Sequence, residues 1–394
     1  MKTPEIIKTF DKYVFSNYTR LPVAIVRGKG SRIWDAEGKE YLDFFPGWGV
    51  SEIGHCHPRV VAAVKKQASR LLHIPNNFYS EHQGLLAKAI SEHSFGGKCF
   101  FCNSGAEAVE AAIKLARKAT PAARYKIITM ENSFHGRTLA AITATAQAKY
   151  HEGFEPLPKG FGYVPFNDLD AVGRAIDSET AAVMVEPIQG EGGINVARDD
   201  YLKGLRKLCD RKKVLLILDE VQTCMGRTGD WFAYEHYGIV PDMMTMSKGL
   251  GGGVAIGALE AKPEIAAALT PGSHASTFGG NSLACAAGLA VFEAIEKEGL
   301  LENARKTGAY LKRKFEGFAR KYDFIKEVRG RGLMLGMELK VPGAKIVSRC
   351  LEKGLNLNCT HDVVLRVLPA MTITKAEIDK GVEILGSVLA ERTS

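Results

Sequence analysis

The chain has 394 residues, 46% of them hydrophobic and 24% charged, which suits a folded protein with a large core and excludes general disorder. Its 52 Lys and Arg against 44 Asp and Glu give a net charge of +8 with neutral His. This excess is spread along the chain, which suits small anions and argues against a nucleic-acid footprint. No apolar run reaches the length of a membrane span and the first residues show no signal-peptide core, so a cytoplasmic enzyme with no nucleic-acid or membrane partner is expected.

In chain order, residues 23–45 alternate apolar and polar around two turn signals, Gly28-Lys29-Gly30 and Asp35-Ala36-Glu37-Gly38, and predict an antiparallel meander. His55 and His57, in Gly-His-Cys-His-Pro, have no third ligand at helical spacing and read as a turn before a helix. From about 58 to 280, short apolar runs at 99–102, 126–130, 181–185, 214–218 and 243–246 alternate with amphipathic stretches. Such runs fit strands buried on both faces, with helices crossing over between them. Cys99 and Cys102 lie in the first of these, and eight cysteines in all suggest neither a disulfide scaffold nor a zinc site. A helical stretch over 281–320 follows, then extended segments at 324–327 and 333–339. A helix near 344–353, an extended 363–368 and a last helix opened by the capping box Thr374-Lys-Ala-Glu377 complete the chain. The expected division is an N-terminal segment 1–50 packing with a small α+β domain 281–394, and a large α/β domain 51–280 with a mostly parallel sheet.

Three segments carry chemistry. Asp219 ends the apolar run 214–218, where open α/β sheets keep their ligands, and a carboxylate there needs a cation or strong donors. Lys248 leaves the run 243–246 and enters Gly249-Leu-Gly-Gly-Gly253, so partial burial is expected to lower its pKa and make it a usable amine nucleophile. The 29 positions between them leave room for one crossover, which puts the two on neighbouring parallel strands. Ser104-Gly105-Ala106-Glu107 begins a helix whose apolar face is Val109, Ala112, Ile113 and Ala116. Ser104 and Glu107 match a capping box, and the free amides at this end suit a phosphate. An amine, a carboxylate and a phosphate cradle together match pyridoxal 5'-phosphate, whose ring nitrogen, aldehyde and phosphate need these three groups. Walker, dinucleotide-binding, nucleophile-elbow and zincin motifs are missing.

With these residues the chain resembles the class III (ornithine/acetylornithine type) aminotransferases from about residue 15 onward, and most of all the members that act on acetylornithine. The resemblance rests on Arg-Gly-Lys-Gly-Ser-Arg-Ile-Trp-Asp-Ala-Glu-Gly (27–38), Asn-Ser-Gly-Ala-Glu-Ala (103–108), Ser-Phe-His-Gly-Arg-Thr (133–138) and Val-Glu-Pro-Ile-Gln-Gly-Glu-Gly-Gly (185–193). It rests also on Leu-Asp-Glu-Val-Gln (218–222), Gly-Arg-Thr-Gly (226–229), Ser-Lys-Gly-Leu-Gly-Gly-Gly (247–253) and Ser-Thr-Phe-Gly-Gly-Asn (276–281). It implies the fold type I architecture of pyridoxal-phosphate enzymes and a homodimer with shared active sites. It implies Lys248 as the Schiff-base lysine and acid/base, Asp219 on the pyridine nitrogen and Gln222 on the ring hydroxyl. Ser104, Gly105 and Ala106 are implied at the phosphate with Thr277 of the partner subunit, Phe134 against the ring, and Glu220 and Val221 beside Asp219.

On the substrate side the resemblance implies carboxylate clamps at Arg137 and Arg366, because the arginine fork grips both oxygens. Glu191 is expected to cover Arg366 for a distal amine and to move away for glutamate; Ser276, Tyr18 and Trp48 are further substrate contacts. The implied reaction moves the δ-amino group of N2-acetyl-L-ornithine to 2-oxoglutarate, giving N-acetylglutamate 5-semialdehyde and glutamate, a step of arginine biosynthesis. Two positions depart from the family pattern. Ala106 stands where Thr is common, and Trp48 follows Phe45-Pro46-Gly47 where acetylornithine enzymes carry small or aliphatic residues and ornithine enzymes an aromatic. Other ω-amine transaminases (ornithine, 4-aminobutyrate, succinyldiaminopimelate or lysine-precursor) and a pyridoxal-phosphate aminomutase are the alternatives.

Overall fold

The computed structural model describes residues 1–391. The N-terminal helix Thr3–Tyr13 has no buried residue. The meander follows as β1 (Ile25–Lys29), β2 (Arg32–Asp35) and β3 (Glu40–Asp43), antiparallel, with its turns at the expected glycines: Gly30 and Gly38 have φ of +56° and +90°, a region open to glycine without a Cβ clash. His57 directly precedes the helix Pro58–Ala68, and the His55 ring meets Asp43 at 2.7 Å.

Every expected run of the large domain is a strand. These are β4 (Lys98–Cys102), β5 (Lys126–Met130), β7 (Thr180–Val185), β10 (Leu215–Asp219) and β11 (Met243–Met246). Between them come β6 (Phe161–Val164) and a small hairpin, β8 (Ile188–Gln189) and β9 (Asn195–Val196); β12 (Gly257–Ala261) follows β11. The seven-stranded sheet runs β4-β12-β11-β10-β7-β5-β6. The pairs β10–β11, β10–β7, β7–β5 and β5–β6 are parallel. All six residues of β7 are buried, as a strand with helices on both faces requires.

The sequence reading missed β6 and β12. Glycine and alanine supply little strand preference in Gly-Ala-Leu-Glu-Ala, and this strand runs antiparallel to both its neighbours. Its Glu260 is buried, accepting from Ser94 Oγ (2.6 Å) and Gly97 N (2.8 Å); burial holds its pKa near 7 despite those bonds.

The expected helix over 281–320 is two helices, Ser282–Lys297 and Leu300–Lys321, broken at Gly299, whose φ is +62°. The first packs against the helices Pro58–Ala68 and Glu81–Glu92, and the second against the C-terminal sheet. That sheet contains β13 (Ile325–Arg331) and β14 (Met334–Leu339). After the helix Ala344–Glu352 and the short β15 (Leu355–Asn356) come β16 (Asn358–Thr360) and β17 (Val364–Val367). The order is β13-β14-β17-β16, all antiparallel. β15 instead joins the N-terminal meander, parallel to β3. The last helix, Lys375–Glu391, starts with the expected reciprocal bonds between Thr374 and Glu377. Among the described residues no helix is long and apolar enough to cross a membrane.

Candidate active site

At the C-terminal ends of β10 and β11 lies a cavity of about 240 Å³. Asp219 ends β10, and Lys248 follows β11 by two residues in a short helical turn; the two strands are parallel, with Asp219 opposite Thr245. The expected juxtaposition on neighbouring strands is therefore present. Lys248 holds a φ of +33°, unusual for a residue with a Cβ, and such strain persists only where surrounding structure over-determines it.

Asp219 is only 4% exposed. Its Oδ1 accepts from Val221 N and Thr245 Oγ1, both at 3.1 Å, and its Oδ2 meets His135 Nδ1 at 2.6 Å. Burial disfavours a charged His135, but the hydrogen bond and charge of Asp219 outweigh it and raise the imidazole pKa above the ordinary value. Glu186 closes this side, accepting from Phe134 N (3.0 Å) and Gly190 N (3.2 Å). Burial lifts its pKa to about 7. Burial also acts on Lys248 and lowers its pKa. The negative charges of Glu191, Asp219 and Glu186 push the other way, and Arg366 adds to the lowering.

The floor is the start of the helix Gly105–Ala119. Ser104 caps it by accepting from Glu107 N at 3.3 Å, while Glu107 Oε2 accepts from Asn103 N at 2.7 Å and from Ser104 Oγ at 3.4 Å. Gly105 and Ala106, as first helical residues, have amides without intrahelical acceptors, and both line the cavity. A Cβ on Gly105 would stand 2.7 Å from Val221 Cγ1, and one on Gly136 would stand 2.8 Å from Ala106 Cβ. Glycine is what lets these walls close together. Phe134, Arg137 and Gln222 complete the lining.

Behind Glu191, which lines the cavity, stands Arg366, on β17, 1% exposed, with the Phe45 ring 4.8 Å from its guanidinium carbon. Glu191, in the β8–β9 hairpin, accepts from Arg366 Nη1 at 2.6 Å and Nη2 at 3.2 Å. Burial works against the Glu191 carboxylate, but the charge and hydrogen bonds of Arg366 prevail and hold its pKa below the usual range. The pair expected from sequence is formed.

Several expected residues stand elsewhere. Glu220 does not line the cavity: its carboxylate is turned inward, accepting from Thr223 Oγ1 (2.5 Å), Ala233 N (2.9 Å) and Tyr234 N (2.8 Å). Ser104 lies outside the cavity, its hydroxyl used by the cap. Thr277 is exposed, and Ser276 Oγ accepts from Asn103 Nδ2 (3.3 Å) and Gly279 N (3.1 Å). Tyr18 and Trp48 line a different, apolar cavity of about 960 Å³ beside the N-terminal helix. Trp48 reaches the Arg366 region only through Phe45, against which it packs edge-on with ring centroids 5.8 Å apart. Sequence reasoning assigned no role to His135, Glu186, Ser247 or Asn358. His135 and Glu186 lie in stretches that carried the resemblance, and a polar residue beside a strand-end aspartate was the available signal. Cys99 and Cys102 are both free thiols on β4.

The family model described as "Aminotransferase class-III" matches residues 13–389. An acetylornithine aminotransferase of Caldanaerobacter subterraneus subsp. tengcongensis is 54% identical over 385 residues, covering 96% of this chain and 98% of its own. Among solved structures, the ornithine aminotransferase of Toxoplasma gondii superposes with a TM-score of 0.96 at 36% identity, covering 100% of this chain and 96% of that one. A second structure of a Toxoplasma gondii ornithine aminotransferase, with TM-score 0.93, 36% identity and coverage of 99% and 96%, has PLP at partial occupancy in its active site. By sequence, fold and cavity alike, this chain belongs to the class III aminotransferases.

Proposed function

We propose that the protein is a pyridoxal-phosphate-dependent aminotransferase that transfers the δ-amino group of N2-acetyl-L-ornithine to 2-oxoglutarate. One observation carries the two-substrate reading: the fork of the buried Arg366 is occupied by the side-chain carboxylate of Glu191.

The cavity fits the cofactor. Gln222 Oε1 is buried without a hydrogen-bond partner, an orphan acceptor that a ring hydroxyl satisfies. Asp219, fixed by three donors, presents a buried carboxylate suited to a protonated ring nitrogen. The amides of Gly105 and Ala106 and the positive end of their helix suit a phosphate, and Phe134 offers a flat apolar face. When bound, pyridoxal phosphate supplies a reversible covalent hold on amines and a ring that withdraws electrons from the adjacent carbon.

Lys248 then serves as the amine nucleophile and as the base and acid that carries the proton of the transfer, its lowered pKa keeping a larger share unprotonated. Arg137 binds the α-carboxylate of acetylornithine while Glu191 covers Arg366, so a distal amine meets no surplus charge. For glutamate and 2-oxoglutarate, the Glu191 side chain withdraws and Arg366 grips a carboxylate in its place. Thr277 is exposed beside Phe278, itself 61% exposed, which supports a homodimer in which this loop reaches the partner's site. In this organisation residues 1–50 belong with the small C-terminal unit, through the β3–β15 pairing.

Trp48 favours a second reading, an ornithine δ-aminotransferase, since that branch carries an aromatic here. Half-reaction spectra with acetylornithine, ornithine and glutamate separate the two. Cofactor bleaching by acetylornithine and glutamate supports the first reading; bleaching by ornithine in place of acetylornithine supports the second.

A further inference from the structure

We infer that Asn358 is the stationary half of the Arg366–Glu191 switch: it holds the arginine in place while Glu191 leaves, and so sets the enzyme's grip on dicarboxylate substrates. This rests on the proposed reaction. Arg366 is clamped on two edges. On the Nη1/Nη2 edge stands Glu191. On the adjacent Nε/Nη2 edge Asn358 Oδ1 accepts from Nε at 3.1 Å and from Nη2 at 2.9 Å. Asn358 and Arg366 are register partners on β16 and β17, so the backbone ladder fixes this contact. Below, the Phe45 ring supports the guanidinium.

The Glu191 side is built differently. Its backbone carbonyl accepts from Thr360 Oγ1 at 2.8 Å, again from β16, and the Gly193 carbonyl accepts from Arg329 Nη2 at 2.6 Å. The loop is thus pinned to the C-terminal sheet by its backbone, and release of Arg366 needs only the Glu191 side chain to turn. Once it has turned, Asn358 is the one side-chain acceptor among the described residues still on the guanidinium. It keeps the Nη1/Nη2 edge aimed at the cavity for an incoming carboxylate, which takes the position Glu191 held.

Asn358→Ala is therefore expected to weaken binding of glutarate, a dicarboxylate with no amine to transfer, about 10–100-fold by calorimetry on the holoenzyme. The glutamate half-reaction should lose a similar factor in kcat/KM, and the acetylornithine half-reaction far less. If the alanine variant does not fold, Asn358→Asp decides. Its carboxylate would accept from the same Nε and Nη2 but would cancel the guanidinium charge that draws a dicarboxylate, so the same selective loss is expected. Equal losses in both half-reactions, or unchanged glutarate affinity, overturn the inference. Failure of the wild-type holoenzyme to accept glutamate at all overturns instead the reaction on which it rests.

Discussion

Asp219 ends one strand and Lys248 follows the parallel strand beside it, whereas Arg366 comes from the C-terminal sheet and Glu191 from a hairpin beyond β7. At the first end, Asp219 spends both oxygens on fixed partners, and Lys248 is held in a strained turn between a strand and a glycine run. At the second, the bond between the two charged groups joins elements from different sheets, and one partner reaches the other through side-chain atoms alone. In the proposed reaction the covalent and proton chemistry, common to both substrates, falls to the rigid end. The proposed discrimination between substrates needs a part that moves, and it is assigned to the Glu191–Arg366 ion pair. Each alone has a cost: buried charges without partners are unfavourable by several kcal/mol, so the movable end needs Glu191 whenever no substrate carboxylate is bound.

Four perturbations separate the ends. The largest effect is expected at the rigid one: Lys248→Ala should lower both half-reactions by about 10⁴-fold, the upper range for a positioned acid–base group, in single-turnover kinetics. A variant that loses only one half-reaction would break the division. Next, Glu191→Gln should lower the acetylornithine half-reaction about tenfold more than the glutamate half-reaction, since Arg366 is left uncovered; equal losses count against the switch.

Asp242→Ala tests the frame beneath the rigid end. This buried carboxylate accepts from Leu216 N, Arg206 Nη1 and Lys262 Nζ, each at 2.8 Å, and ties β10 to the segments flanking β11 and β12. Its loss should cost about 3 kcal/mol in denaturant unfolding, with the ratio of the two half-reactions unchanged. The smallest effect concerns pH. In the cofactor-free protein, Lys248 should react with pyridoxal with an apparent pKa below the ~10.4 of an exposed lysine, because burial disfavours its charged form. Glu191 stabilises that charged form, so Glu191→Gln should move the pKa further down. An upward shift means the two ends do not share one electrostatic field.

The rigid end was the more legible from sequence. Apolar runs such as 214–218 report strands buried on both faces, and a polar residue at such a strand's end has few places to go. The resemblance supplied the roles and the Glu191–Arg366 pair, which residue spacing alone does not bring together: they lie 175 positions apart, one in the β8–β9 turn and the other on β17. Asn358 was illegible because its meaning depends on the β16–β17 register. Glu220 was misread because its neighbour Asp219 faces the cavity; in an extended strand end, successive side chains point to opposite faces, and Glu220 meets the amides of Ala233 and Tyr234 instead. The antiparallel β12 was lost because glycine and alanine disfavour strands, and the break at Gly299 because a single glycine inside a helical pattern is tolerated as readily as it ends one.

The most direct test is borohydride reduction of the holoenzyme followed by peptide mass spectrometry. The account predicts a single pyridoxyl modification, on Lys248. Modification of a different lysine, or none in protein that has taken up the cofactor, would contradict it.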